Sequence, residues 1–193
     1  KWIDLVVCNL YPFSDTISRE DCDLALALEN VDIGGPTMIR SAAKNVGWVC
    51  VVVCPDDYTS LSSELLSGSI SFETRQRLSA KAFGHTAQYD TIIYNYFKDE
   101  DLSDNFSLTF EKHSEMRYGE NPHQQAAAYK APGDFSNNIL NAKIHQGKQL
   151  SYNNIMDADG ALACVRDFDG SACVVVKHAN PCGVALGGDI LDV

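Results

Sequence analysis

Apolar positions along the first hundred residues fall into two textures, short unbroken runs and longer stretches with helical spacing. Leu5-Val6-Val7-Cys8 is an unbroken run and predicts a buried strand. It ends in Asn9-Leu10-Tyr11-Pro12-Phe13, where Pro12 cannot donate to a ladder. Ser18 with Asp21 three residues on has the spacing of a capping box, and Leu24, Leu28 and Val31 then repeat as a helix face does. Gly34-Gly35-Pro36 predicts a turn with the proline at the first helical position. Met38, Ile39, Ala42 and Ala43 form the apolar stripe behind it. Cys50-Val51-Val52-Val53 predicts a second buried strand. Pro55-Asp56-Asp57 opens a helix that Gly68 stops. Ser71 to Phe97 carries a long helical pattern, with Gly84 as a place for a bend.

The texture then changes. Asp99-Glu100-Asp101 and Ser103-Asp104-Asn105 are acidic and polar without periodicity, and a domain boundary is expected there. Phe106, Leu108 and Phe110 alternate with polar residues and predict a half-buried strand. Met116 to Gln125 is polar and irregular. Tyr152 to Phe168 predicts a helix and Ala172 to Val176 a buried strand. That strand runs into Lys177-His178-Ala179-Asn180-Pro181-Cys182-Gly183. The alternation of strands and helices predicts an α/β fold.

Composition narrows the partners. With 193 residues, 45% apolar and 21% charged, the chain has the makings of a globular core. A net charge of −11 with no Lys/Arg run argues against nucleic acid or an anionic membrane as the main partner. No apolar run reaches the roughly 18 residues that a bilayer span needs. The chain opens at Lys1, on the approach to a strand, and ends at Asp192-Val193, so it is expected to be an internal piece of a longer protein. Expressed alone, residues 1–193 are expected to be poorly soluble or partly unfolded, and inactive. Seven cysteines with no C-x-x-C pair predict reduced, buried thiols of a cytoplasmic protein. The five histidines show no zinc spacing, and no metal is expected.

Four constellations can carry chemistry. Asp32-Ile33-Gly34-Gly35-Pro36-Thr37 opens a helix, where free N–H groups and small residues let a polar ligand approach. Thr37, Ser41 and Lys44 follow on one polar face, which could equally be a solvated one. Asn9 and Tyr11 stand at a strand's carboxyl end, the usual ligand edge of an open α/β sheet, or simply in a turn with a packed aromatic. Arg117-Tyr118-Gly119-Glu120-Asn121-Pro122-His123-Gln124 is a nearly apolar-free segment whose arginine can fork onto a phosphate or carboxylate, or a plain surface loop. Lys177-His178 closes an apolar strand. A histidine beside a fixed positive charge favours the neutral base, and the lysine can stabilise an oxyanion. The plainer reading is two strand-end residues facing water. Cys182 as a nucleophile is a rival without an evident partner.

Taken in order, these motifs, with Ser41-Ala42-Ala43-Lys44-Asn45 and His85-Thr86-Ala87-Gln88-Tyr89-Asp90 between them, closely resemble the bifunctional purine-biosynthesis family of AICAR transformylase/IMP cyclohydrolases in its bacterial form. The resemblance implies part of a methylglyoxal-synthase-like α/β domain over 1–98, a linker over 99–114, and the start of a cytidine-deaminase-like transformylase domain over 115–193. It implies formyl transfer from 10-formyltetrahydrofolate to AICAR, then closure of formyl-AICAR to IMP with loss of water. Tyr11 and Lys44 are then the proton-handling pair for closure. Asp32 with the Ile33 backbone holds the base edge, beside Cys8 and Asn9. His178 is the base on the AICAR amine and Lys177 the oxyanion partner. Arg117 and Tyr118 bind AICAR, and His123 and Asn154 lie in matching site segments. The family implies a homodimer for the full-length protein and no metal requirement. The alternatives are an inactive nucleotide-binding fragment of such an enzyme, or a small lyase like methylglyoxal synthase, which leaves everything after Phe97 unexplained.

Overall fold

The computed structural model describes residues 2–99, 102–134, 136–189 and 191–192. The chain is mixed α/β and divides into two compact units, 1–109 and 110–193. Of the acidic stretch expected at the boundary, Glu100 and Asp101 lie outside the described residues.

In the first unit, strand β1 (Leu5–Val7) pairs in parallel with β2 (Cys50–Val52), Leu5 opposite Cys50 and Val7 opposite Val52. Parallel neighbours need a crossover. Helices α1 (Phe13–Ile17), α2 (Leu24–Glu29) and α3 (Gly34–Lys44) supply it. A 3₁₀ turn (Pro55–Asp57) leads into α4 (Tyr58–Leu66), and Gly68, at φ 113°, ends that stretch as expected. The long helix α5 (Phe72–Phe97) starts at Ser71, whose side chain accepts the Thr74 N–H, and runs through Gly84 undivided. One cluster joins Ile39, Ala42 and Ala43 of α3 to Val51, Val53 and Ala82. A second joins Cys50 and Val52 to Leu61 and Leu78. A third is built on Phe13, 1% exposed, which meets Tyr89 and Tyr96 edge-on. Arg75 donates to the carbonyls of Val46, Gly47 and Ile70, and Ser79 to that of Ala43, which fastens the end of α3 to α5.

Asp57, the last residue of the 3₁₀ turn after β2, takes Lys81 Nζ at 2.5 Å and Arg77 Nη1 at 3.1 Å from successive turns of α5. Burial raises the Asp57 carboxyl, but the two cations outweigh it and hold it below the usual range. A group with a depressed folded pKa stabilises above its unfolded pKa, near 3.9 for aspartate, and that contribution fades as pH falls through the folded value. Both cations are well exposed, so the effect is modest. Asp57→Asn is expected to cost about 1–2 kcal/mol at pH 7 and progressively less below about pH 4. Denaturant melts of the full-length protein at several pH values check this; a gap that widens in acid contradicts it.

In the second unit, β3 (Glu111–Glu115) and β4 (Ala127–Lys130) form an antiparallel pair with an irregularity between Lys112 and Ser114. A 3₁₀ turn (Ile139–Asn141) precedes α6 (Tyr152–Val165). The antiparallel hairpin β5 (Ser171–Lys177) and β6 (Asn180–Gly187) follows, registered from Ser171–Gly187 to Lys177–Asn180.

Several sequence expectations are corrected. Ser18 caps no helix start: it ends α1, its Oγ donates to Ser14 O, and Asp21 pairs with Arg19 instead. The cap of α2 is Asp23, which accepts from Leu26 N–H at 2.8 Å. Gly34 and Gly35 lie inside the first turn of α3, so Pro36 is its third residue, where the missing N–H still costs nothing. Phe106, Leu108 and Phe110 are exposed and outside any strand. Tyr94 bonds the Asn105 carbonyl and Asn95 the Ser107 carbonyl, so this backbone is tied to α5 instead of a ladder. The β5 strand is half-buried, with Val175 57% exposed, because one partner strand cannot cover both its faces. All seven cysteines are free, but Cys173 and Cys182 on that hairpin are exposed.

Candidate functional site

The first cluster forms where β1 ends. Cys8 N–H still bonds Val52 O at 3.0 Å, and the chain then leaves the sheet through Asn9. Tyr11 N–H donates to Asp32 Oδ2 at 3.3 Å, and Gly35 N–H to Asp32 Oδ1 at 2.7 Å. One carboxylate thus ties the loop after β1 to the first turn of α3 and satisfies a helix N–H that would otherwise lack a partner. Each oxygen keeps capacity for another donor. A Cβ on Gly35 would stand 2.6 Å from both Asp32 Oδ2 and Leu10 Cδ2, so only glycine fits there.

Behind Asp32 stands Tyr89, a buried residue of α5. Its hydroxyl accepts the Asp32 N–H at 2.9 Å and donates to Asn30 O at 3.1 Å. Burial pushes the Tyr89 hydroxyl up, so it keeps the proton it donates. Burial and the Asp32 charge raise the Cys8 thiol as well, which favours a neutral wall residue over a nucleophile. Tyr58, at the start of α4, donates to Asn9 Oδ1 at 3.5 Å and links the carboxyl ends of β1 and β2. Asn9 is exposed, and so are Tyr11 at 56% and Ile33 at 76%, which leaves this edge open to a ligand.

The structure brings Cys8, Asn9, Tyr11, Asp32 and Ile33 to one sheet end. Lys44 stands elsewhere, as the last residue of α3. It follows Gly34 by ten residues, about 15 Å of axial rise. A cation in that place also complements the helix dipole. Thr37, Ser41 and Lys44 are all exposed and make a polar strip along α3.

The second cluster is built around the start of α6. Ser151 and Asn154 form a capping box, with Asn154 Oδ1 accepting from Ser151 N–H at 3.2 Å and from its hydroxyl at 3.0 Å. Tyr152 N–H donates to Tyr118 O and Arg117 N–H to Leu150 O, which sews the polar loop onto the helix start. The Arg117 guanidinium lies 4.8 Å from the Tyr118 ring centroid and donates to its hydroxyl at 3.1 Å. The neighbouring Ser151 side chain and the Arg117 guanidinium lower the Tyr118 hydroxyl. Arg117 and His123 line one cleft of about 530 Å³ together with Lys112, Gln124 and Tyr129. Asn154 is exposed, but its amide oxygen is engaged by the cap.

Lys177 is the last residue of β5, and the hairpin turns on His178 and Ala179 alone. Both have left-handed φ, 55° and 58°. Two positive φ values suit a two-residue hairpin, but without Asn or Gly each costs about 1–3 kcal/mol. Ala179 N–H donates to Asp157 Oδ1 of α6 at 2.7 Å, and Asn180 Nδ2 to His178 O at 2.7 Å. Lys177 and His178 are both exposed. Thus α6 serves both parts of this cluster: Ser151 reaches the Arg117–Tyr118 loop, and Asp157, six residues on or about 9 Å of rise, reaches the turn.

Tyr58, Ser151 and Asp157 were not among the sequence candidates, and Tyr89 stood there only as a member of the His85–Asp90 motif. The Ser151–Asn154 spacing was a local signal for a cap. Tyr58, Tyr89 and Asp157 act across 49, 57 and 22 residues and left no local mark. Among the described residues no group of three or more His, Cys, Asp or Glu could hold a metal ion, and no helix is long and apolar enough to cross a membrane.

Comparison with known proteins adds the relatives. Two proteins described as bifunctional purine biosynthesis protein PurH, from Bacillus cereus (strain AH820) and Bacillus anthracis, are each 52% identical to this chain over 192 residues. Each match covers 97% of this chain but 38% of the relative, so the chain spans well under half the length of those proteins. A solved structure described as the crystal structure of ForH is 36% identical, with a TM-score of 0.44, over 49% of this chain and 50% of that one. The family described as AICARFT/IMPCHase bienzyme matches residues 42–193, four-fifths of the sequence and both constellations in the second unit, and the chain belongs to that family.

Proposed function

We propose that this chain is part of an enzyme for the last two steps of IMP formation. In the first step a formyl group passes from 10-formyltetrahydrofolate to the amine of AICAR. In the second, formyl-AICAR closes to IMP with loss of water. The family membership carries the reading, and the geometry supports it in two places. At the end of β1, Asp32 is held with spare acceptor capacity beside the exposed Tyr11 and Asn9. At the end of β5, a lysine and a histidine are presented side by side on a tight turn.

In this reading residues 1–98 belong to the cyclohydrolase domain, 99–114 to a linker and 115–193 to the transformylase domain. The methylglyoxal-synthase-like and cytidine-deaminase-like folds are part of the same proposal, as are a cytoplasmic location and a homodimer of the full-length protein. His178 takes the proton from the weakly nucleophilic AICAR amine as it attacks the formyl carbon. Lys177 stabilises the oxyanion formed there. Arg117, stacked on Tyr118, supplies a fixed fork for the phosphate or carboxamide of AICAR, with His123 on the same cleft wall. Asn154 contributes through the cap that places this loop. For closure, Asp32 and the Ile33 backbone hold the base edge against Cys8 and Asn9, while Tyr11 and Lys44 move protons. An inactive nucleotide-binding fragment is the competing reading, and the exposure of Tyr11, Lys177 and His178 at two edges disfavours it.

The test uses purified full-length protein. Formyl transfer is followed with AICAR and 10-formyltetrahydrofolate, and closure with supplied formyl-AICAR. Both reactions are expected, with no added metal. Nucleotide binding without either reaction would replace this reading with the non-catalytic one.

A further inference from the structure

The hairpin that presents Lys177 and His178 has an unfavourable turn and one carboxylate holding it. Right-twisted two-residue turns favour Asn-Gly because both residues need positive φ. Here the pair is His178-Ala179, at φ 55° and 58°, and these are the only non-glycine residues with positive φ among the described ones. Such a conformation persists only where its surroundings impose it. The surroundings are α6. Asp157 Oδ1 takes the Ala179 N–H at 2.7 Å, a charge-assisted bond to the second residue of the turn. One helical turn on, Gly160 faces the same residue, and a Cβ there would come within 3.3 Å of Ala179 O. The helix thus approaches the turn through a residue without a side chain and grips it with a carboxylate.

We infer that Asp157 is a positioning residue for formyl transfer: it holds the 178–179 turn in its left-handed form and so aims His178 at the substrate amine. The inference rests on the proposed role of His178. Asp157 itself exchanges no proton with the substrate. Its contribution is geometric, and loss of alignment at a reacting centre costs up to about 100-fold in rate. Asparagine at 157 retains an amide oxygen that can accept the same N–H, whereas alanine removes the acceptor.

The experiment compares Asp157→Ala, Asp157→Asn and His178→Ala in the full-length enzyme. Formyl transfer is measured as kcat and KM for AICAR, and closure of supplied formyl-AICAR is measured alongside. Asp157→Ala is expected to lower kcat for transfer by about 10- to 100-fold with KM for AICAR within about threefold, because the Arg117 cleft is untouched. Asp157→Asn is expected to recover most of that loss. Closure is expected to be unchanged in all three variants. If His178→Ala abolishes transfer while Asp157→Ala keeps full kcat, the positioning role is wrong and the catalytic reading stands. If His178→Ala leaves transfer intact, the catalytic reading fails first. Asp157→Asn as impaired as Asp157→Ala, or a parallel loss of closure, would also overturn the inference. Should Asp157→Ala not fold, Asp157→Asn and Gly160→Ala keep it testable, since crowding at 160 must displace the same turn and lower kcat without raising KM.

Discussion

Replacing His178 by alanine in the full-length enzyme is expected to slow formyl transfer by about 10²- to 10⁴-fold, the usual contribution of a positioned base. Closure of supplied formyl-AICAR is expected to continue. The AICAR nitrogen is conjugated with its ring and attacks poorly unless its proton is taken as the bond forms. His178 stands at the apex of a two-residue turn, exposed, with Lys177 directly before it. A base and a cation are therefore offered together at one edge, which suits removal of a proton on one side and stabilisation of an oxyanion on the other. The unfavourable φ of the turn strengthens the case, since strain of this kind clusters where function needs a fixed geometry. Steady-state transfer rates at saturating AICAR decide it. An unchanged rate would mean that His178 is a strand-end residue facing water.

The complementary loss is expected from Tyr11→Phe and Lys44→Ala, each slowing closure by about 10²-fold or more while transfer stays near normal. Tyr11 is the better placed of the two. Its backbone N–H is bonded to Asp32, and its side chain is exposed at the sheet end. Tyr11→Phe removes only a hydroxyl, so its effect reads proton handling rather than packing. Lys44 closes the polar strip at the far end of α3, about 15 Å of rise from Gly34. The proposed pairing therefore requires the two groups to act on different parts of the substrate. Measuring closure and transfer for each variant separates the cases. Loss with Tyr11→Phe alone would confine the chemistry to the Asp32 end and leave Lys44 as a helix-dipole partner. Equal loss of both activities would refute the division into two sites.

Several features of this protein follow from short-range physics and were legible in its residues. Val51-Val52-Val53 leaves no face for water, so it reads as buried strand wherever it lies. Ser71 before a long apolar stripe, and Gly68 where φ must turn positive, mark α4 and α5 because caps and left-handed turns depend on one or two side chains. The order of the motifs along the chain carried the family. Local pattern failed where two local answers competed. Ser18 and Asp21 had the spacing of a cap, but Arg19 beside Asp21 offered the closer ionic partner. Phe106 to Phe110 alternated like a strand, yet the carbonyls of Asn105, just before it, and of Ser107 within it found Tyr94 and Asn95 instead of a ladder.

What only the tertiary structure decided is how the chemical groups are held. Asp32 reads as an acid in a glycine-rich turn, but its orientation comes from Tyr89, 57 residues away, and from Gly35, where any Cβ would collide with it. No residue pattern predicts a hairpin at His-Ala, because that turn is unfavourable by itself and stands on the carboxylate of Asp157. Position of Lys44 relative to Tyr11 was likewise invisible, since the distance between them is set by the length and direction of α3. Identity of the reactive groups is a local property written in side chains. Their placement depends on hydrogen bonds and close approaches between distant segments, whose partners become neighbours only when the chain folds.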